Sequence, residues 1–276
     1  HMRKFFNQLW KLCIQLAVLF HQLTSPLWRF FHKLASPPHF YRLAATLIPW
    51  LTVVALLLIA YGAYAGLFLA PPDYQQGDAF RIIYVHVPSA YLSMMAYMFM
   101  AISGAIGLIW RLKLAHAVGA AAAPLGAAFT FLALVTGSIW GRPMWGTWWE
   151  WGDPRLTSEL ILLFLYFGYM ALRSSIDDTA KADKACAVLA LVGVVNVVVV
   201  HYSVEWWSSL HQGQTLMKEG GPGMDADMLY PLLAMILGFT FLFGALLARR
   251  IRTEVLYRER RTRWVREMIL SPEGGR

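Results

Sequence analysis

What this chain is short of narrows its class before any motif is read. Charged residues make up 14% of the 276, against roughly 25% in an ordinary soluble domain. The deficit is local: 30 consecutive residues between Arg42 and Asp73 carry no charge, and neither do the 29 between Arg81 and Arg111. Cysteine is also scarce. Cys13 and Cys186 lie far apart, and neither sits in a CxxC or CxxCH motif. That excludes a disulfide framework and a covalently attached c-type heme. No HExxH, GxSxG, P-loop or Rossmann fingerprint occurs, so a hydrolytic zinc site, an acyl-transfer site and nucleotide hydrolysis have no residues to carry them.

What is present is apolar. Hydrophobic residues reach 58%, with a mean hydropathy of +0.49. Crossing the hydrocarbon core as a helix takes about 20 apolar residues, and a barrel strand only about 10. The long runs therefore predict an all-α, polytopic membrane protein. Six spans are expected, at about 44–69, 87–110, 117–140, 156–172, 185–204 and 229–248. The third is rich in Ala and Gly, which suits close helix packing.

Basic residues orient the bundle. Twenty of the 24 Lys and Arg fall in the N-terminal segment, the 111–116 and 173–184 loops and the C-terminal tail. Four remain for the other side: Arg81, Arg142, Arg155 and Lys218. Such a bias predicts both termini in the cytoplasm and the loops 71–86, 141–158 and 205–228 facing outward. Residues 1–43 hold no acid and intersperse aromatics among the bases. They read as a basic amphipathic segment on an anionic lipid surface, with lipid rather than nucleic acid accounting for the net charge of +8. Residues 44–248 form the six-helix domain, and 249–276 a basic cytoplasmic tail.

The outward side is the informative one. Trp140, Trp145, Trp148, Trp149 and Trp151 fall within 12 residues, and Trp206 and Trp207 lie in the next outward loop. An interfacial aromatic belt spreads single residues over both leaflets. Five indoles in one Gly- and Pro-containing loop read better as a platform for a large, flat apolar ligand. His86 and His211 fall on the same predicted side. Neutral imidazole is a common axial ligand of heme iron, and two from different elements could hold it from both faces. Arg142 and Arg155 could pair with propionates. His201, inside the fifth span, is expected to hydrogen-bond within the bundle, with Glu205 as candidate partner. Asn196 reads as helix glue.

These residues carry a resemblance. The segment Trp145-Gly-Thr-Trp-Trp-Glu-Trp-Gly-Asp-Pro-Arg-Leu-Thr-Ser158 looks like the tryptophan-rich WWD signature of heme-handling membrane proteins. With Tyr84-Val-His-Val-Pro88, His201-Tyr-Ser-Val-Glu-Trp-Trp207 and His211-Gln-Gly213, the chain resembles the heme exporter protein C family of cytochrome c maturation. The resemblance implies a six-helix bacterial inner-membrane protein holding heme b at its periplasmic face, with His86 and His211 as axial ligands. It implies that Trp145, Trp148, Trp149, Trp151 and Asp153 line the heme site. It also implies delivery to a membrane-anchored periplasmic heme chaperone, alongside ABC transporter-like ATPase and permease subunits and a small single-span subunit. That is a delivery protein, not an enzyme. Two other readings compete: a heme-lyase-like subunit acting on apocytochromes, which would need a larger chain, and a small-solute transporter with the Trp loop as lid, which would need polar groups at the bundle centre.

Overall fold

The structure is a computed structural model that describes residues 14, 15, 18, 25, 26, 33, 35–211 and 223–270. Most of the amphipathic segment expected over 1–43 lies outside the described residues, as do Cys13, Lys218, the end of the His211-Gln-Gly213 motif and the last six residues of the tail. Among the described residues the chain is helical, with no strand beyond one isolated bridge between Asp73 and Gly77.

From Pro37 on, seven helices follow in order among the described residues. Helix α1 spans Pro37–Tyr64 and runs on as a π-helical turn over Ala65–Leu69. A 3₁₀ turn, Asp78–Ile82, leads into α2, Ile83–Trp110. Then come α3 (Lys113–Trp145), α4 (Pro154–Ser175), α5 (Thr179–Trp206), α6 (Ala226–Glu259) and a short α7 (Arg263–Leu270). The six long helices are each apolar and long enough to cross a bilayer. Their ends follow from local chemistry. Pro37 and Pro154 take first-turn positions, where the missing N–H costs nothing. Asp153, Asp178 and Asp225 accept backbone N–H groups as N-caps.

Helices α2, α3, α4 and α5 pack in a ring, each against its two neighbours. Helix α6 lies on the α2 and α3 side, and α1 packs chiefly on α6. The core is built of Ala and Gly on one helix and aromatic rings on the next. A Cβ at Gly126 would fall within 2.3 Å of the Tyr166 ring, so α3 and α4 could not approach as they do with any larger residue there. Asn196 Nδ2 donates to the Ser158 carbonyl at 2.9 Å and joins α5 to α4, as expected of helix glue.

The helices outrun the apolar spans at several ends. Helix α6 passes straight through Arg249-Arg250 because its basic last turns find partners. Arg250 Nε donates to the Ala121 carbonyl (3.0 Å), and Arg258 reaches both oxygens of Asp183 (2.8 and 2.9 Å). At the other end, α2 begins before His86, so that histidine is a buried helical residue (9% exposed) and not a rim position.

Candidate functional site

The Trp segment is shaped by its two borders. Helix α3 stops at Gly146, whose φ of +77° is the left-handed cap that glycine adopts without steric cost. Arg142 donates to the Gly146 carbonyl across that cap. The segment re-enters helix at Asp153, whose Oδ1 accepts from the amides of Arg155 (2.9 Å) and Leu156 (3.0 Å). Between them Trp148 and Trp151 are exposed, at 58% and 72%, and Trp149 is half-buried. Trp149 and Trp151 meet edge to face at 5.5 Å. The Trp149 indole N–H is buried without a hydrogen-bond partner among the described residues.

Two histidines from distant segments face each other beside this loop. The ring centres of His86 and His211 lie 6.2 Å apart with planes inclined by 34°. Trp145 lies 6.5 Å from His211 and Trp140 packs edge-on to His86 at 5.6 Å. A cavity of about 50 Å³ adjoins His211, walled by Gln76, Trp140, Met144, Trp145 and Leu210.

His86 is oriented from several sides. The Thr136 hydroxyl donates to the Leu132 carbonyl at 2.7 Å, so its oxygen accepts from His86 Nδ1–H at 3.0 Å. That assignment leaves Nε2 with a free lone pair, the usual state of a metal-binding imidazole. Gly137 makes room for the ring, since a Cβ there would sit 3.0 Å from His86 Cε1. Trp140 Nε1 is in turn held by Gln76 Oε1 (3.0 Å), and Gln76 by an Asx turn on Asp73 (2.8 Å). Arg81 fixes the same loop by donating to the carbonyls of Gly66 (2.7 Å) and Ala70 (2.9 Å) that the π-helical turn leaves open.

His211 is placed through Asp153. The second carboxylate oxygen accepts from Ser209 Oγ (2.7 Å) and Leu210 N (2.8 Å), and Ser209 Oγ accepts from His211 N (3.1 Å). Asp153 is 3% exposed, with both oxygens engaged by the chain. Burial pushes its carboxyl up, but the Ser209 hydroxyl and the amides of Leu156, Leu210 and Arg155 outweigh that and hold it below the usual carboxylate range.

The structure thus gathers His86, His211, Trp145 and Asp153 at one end of the bundle, with Trp148, Trp149 and Trp151 on the connected loop. Arg155 is half-buried in the first turn of α4, in electrostatic contact with Asp153, Glu159 and His86. Arg142 is exposed at the rim. His201 is exposed on α5 and packs on the Tyr202 ring at 4.6 Å, so it faces away from the bundle interior. Sequence reasoning passed over Thr136, Gly137, Gln76 and Ser209. It also passed over Glu159, which is buried on α4 with Ser93 Oγ donating to its Oε1 at 2.6 Å.

Comparison with known proteins agrees in one direction. The family model for heme exporter protein C matches residues 30–266. Heme exporter protein C of Escherichia coli (strain K12) is 50% identical over 245 residues, covering 89% of this chain and 98% of that protein. The Haemophilus influenzae protein of the same name is 46% identical over 242 residues, covering 88% and 98%. That of Bradyrhizobium diazoefficiens is 49% identical over 229 residues, covering 83% and 86%.

Proposed function

Since the chain belongs to the heme exporter protein C family, we propose that it holds heme b between His86 and His211 and delivers it to a membrane-anchored periplasmic heme chaperone. It is a multi-pass protein of the bacterial inner membrane with a heme-handling role in cytochrome c maturation. The observation that carries the finer reading is the facing histidine pair. His86 and His211, with ring centres 6.2 Å apart, would hold the heme iron between them.

The other residues take roles around that axis. Trp145, Trp148, Trp149 and Trp151 offer apolar ring faces to the porphyrin. Arg155, nearer the histidines, and Arg142, at the rim, offer guanidinium groups to the propionates. Asp153 acts through Ser209 and Leu210 as a positioning residue, with no oxygen left for the ligand. In this reading the protein is a carrier, with both termini cytoplasmic and the site facing the periplasm. ABC transporter-like ATPase and permease subunits and a small single-span subunit are its companions.

The test is an absorption spectrum of the full-length protein purified in detergent from heme-replete cells, oxidised and reduced, beside His86→Ala and His211→Ala. A Soret band with low-spin bis-imidazole features, lost or shifted in both variants, is expected. Wild-type protein without a Soret band, or a spectrum that either variant leaves unchanged, would overturn the axial assignment.

A further inference from the structure

The end of the bundle opposite the tryptophans holds a second collection of groups that the heme reading does not use. A cavity of about 520 Å³ opens there, lined by Leu108, Arg111, Lys113, His116 and Lys184. A neighbouring cavity of about 430 Å³ shares Lys113 and adds Arg260 and Arg261 beside Glu259, which accepts from Trp264 Nε1. The acid on both walls, Asp183, is already committed. Its Oδ1 accepts from Arg173 (2.7 Å) and Arg258 (2.9 Å), and its Oδ2 accepts from Arg258 (2.8 Å). Asp178 faces Lys181 and Lys184 across the first turn of α5, but it is itself the N-cap of that helix. Arg111, Lys113 and Lys184 form no ion pair within 4 Å among the described residues.

Three features give this basic cavity a preferred ligand. First, the N-terminal turn of α3, which has no side-chain cap, opens on it and adds partial positive charge to the side-chain cations. Second, α2 and α3 are joined by the two residues Arg111 and Leu112, and Arg111 has a φ of +54°. Glycine or asparagine would relieve that conformation, yet an arginine occupies it at the cavity mouth. Third, the last turn of α2 around the cavity mouth is an apolar surface: Leu108 lines the wall, and Ile109 and Trp110 beside it are 66% and 53% exposed. A soluble anion has no use for that face. An amphiphile lays its chains along it while its head group meets the cations.

We propose that this cavity binds the phosphodiester head group of an anionic glycerophospholipid. Occupation would brace the α2–α3 turn against the start of α5, beside the Arg173–Asp183–Arg258 cluster.

Native mass spectrometry of the full-length protein, titrated with phosphatidylglycerol or phosphatidylcholine, tests this. Wild type should retain phosphatidylglycerol in preference to phosphatidylcholine. Each lysine near an anionic group is worth about a factor of five, so Lys113→Gln with Lys184→Gln should weaken the phosphatidylglycerol adduct roughly thirtyfold. Lys113→Arg with Lys184→Arg should restore it, which separates charge from misfolding. Arg263→Gln with Arg266→Gln removes two exposed charges elsewhere on the same end and should leave it unchanged. An equal loss in that control would mean diffuse surface attraction and overturn the site. So would an adduct insensitive to the lysines. Displacement of the lipid by millimolar inorganic phosphate alone would overturn the lipid assignment in favour of a soluble anion.

Discussion

A hydroxyl has one proton to give, and that decides which nitrogen of His86 is available. Because Thr136 spends its proton on the Leu132 carbonyl, it must accept from Nδ1–H and so expose Nε2. Thr136→Val keeps the volume and removes the acceptor. Loss of such an outer partner typically lowers metal affinity by about 10- to 100-fold. Heme titration of the purified variant should show a drop of that order, with a melting temperature lowered by the buried Nδ1–H left without its acceptor. Asp153 carries the second residue-scale expectation. Its folded pKa lies below the unfolded value, so its stabilising effect is complete above about pH 4 and is lost as pH falls through the folded value. Thermal melts should be level on this account from neutral pH to about pH 5 and fall in stronger acid. Asp153→Asn must turn an amide N–H₂ toward donors it cannot satisfy, so it should cost roughly 1–3 kcal/mol already at neutral pH and flatten the acid limb. The tryptophans were legible as an unusual cluster in one loop, and the two histidines as candidates on the same predicted side. Thr136, Gly137 and Gln76 were not, because their partners lie in other elements and a lone Thr, Gly or Gln in an apolar run reads as ordinary packing.

At the scale of elements, hydropathy located every span but undershot several ends. It registers the hydrocarbon core and stops where charge begins, whereas α6 continues because its arginines meet acids and carbonyls from other helices. Arg173, Asp183 and Arg258 are at most 20% exposed at their side chains. Asp183→Ala would leave Arg173 and Arg258 sharing the Glu254 carboxylate alone and should destabilise the bundle by less than the about 3–5 kcal/mol of a fully unpaired buried charge, read as a fall in melting temperature. Asp183→Leu with Arg258→Met should recover much of that loss, since a well-packed apolar pair substitutes for a buried ion pair. The Trp loop shows the same limit of sequence reading. Its glycines and prolines marked a loop, but only the fold reveals that Asp153, the N-cap of α4, also holds the segment bearing His211.

For the whole molecule, the charge count assigned the Trp loop to the periplasm and the Arg173–Asp183–Arg258 end to the cytoplasm. Six apolar helices fit that assignment by number, and its direction is open to measurement. In a Cys13→Ser background, with Cys186 buried, Gly152→Cys should react with a membrane-impermeant maleimide on intact spheroplasts. Lys181→Cys should react only after lysis. Both positions are exposed, so the reverse pattern would invert the topology. The bundle ring, with α6 and then α1 layered outside it, was not legible. Nearly every helix is apolar on most of its surface, and periodicity then says little about which face meets which neighbour.

The unequal anchoring of the two histidines has a consequence for release. His86 belongs to a long helix and is held by Thr136, Trp140 and the space at Gly137. His211 sits on a short stretch tied to α4 through one carboxylate. Under the proposed function, the cargo is held from one strongly anchored side and one lightly anchored side. In that proposal an acceptor's own ligand is expected to displace His211, the less buried of the two, while His86 keeps its grip. Transfer then becomes a relay of hands, in which the cargo is never let go by both.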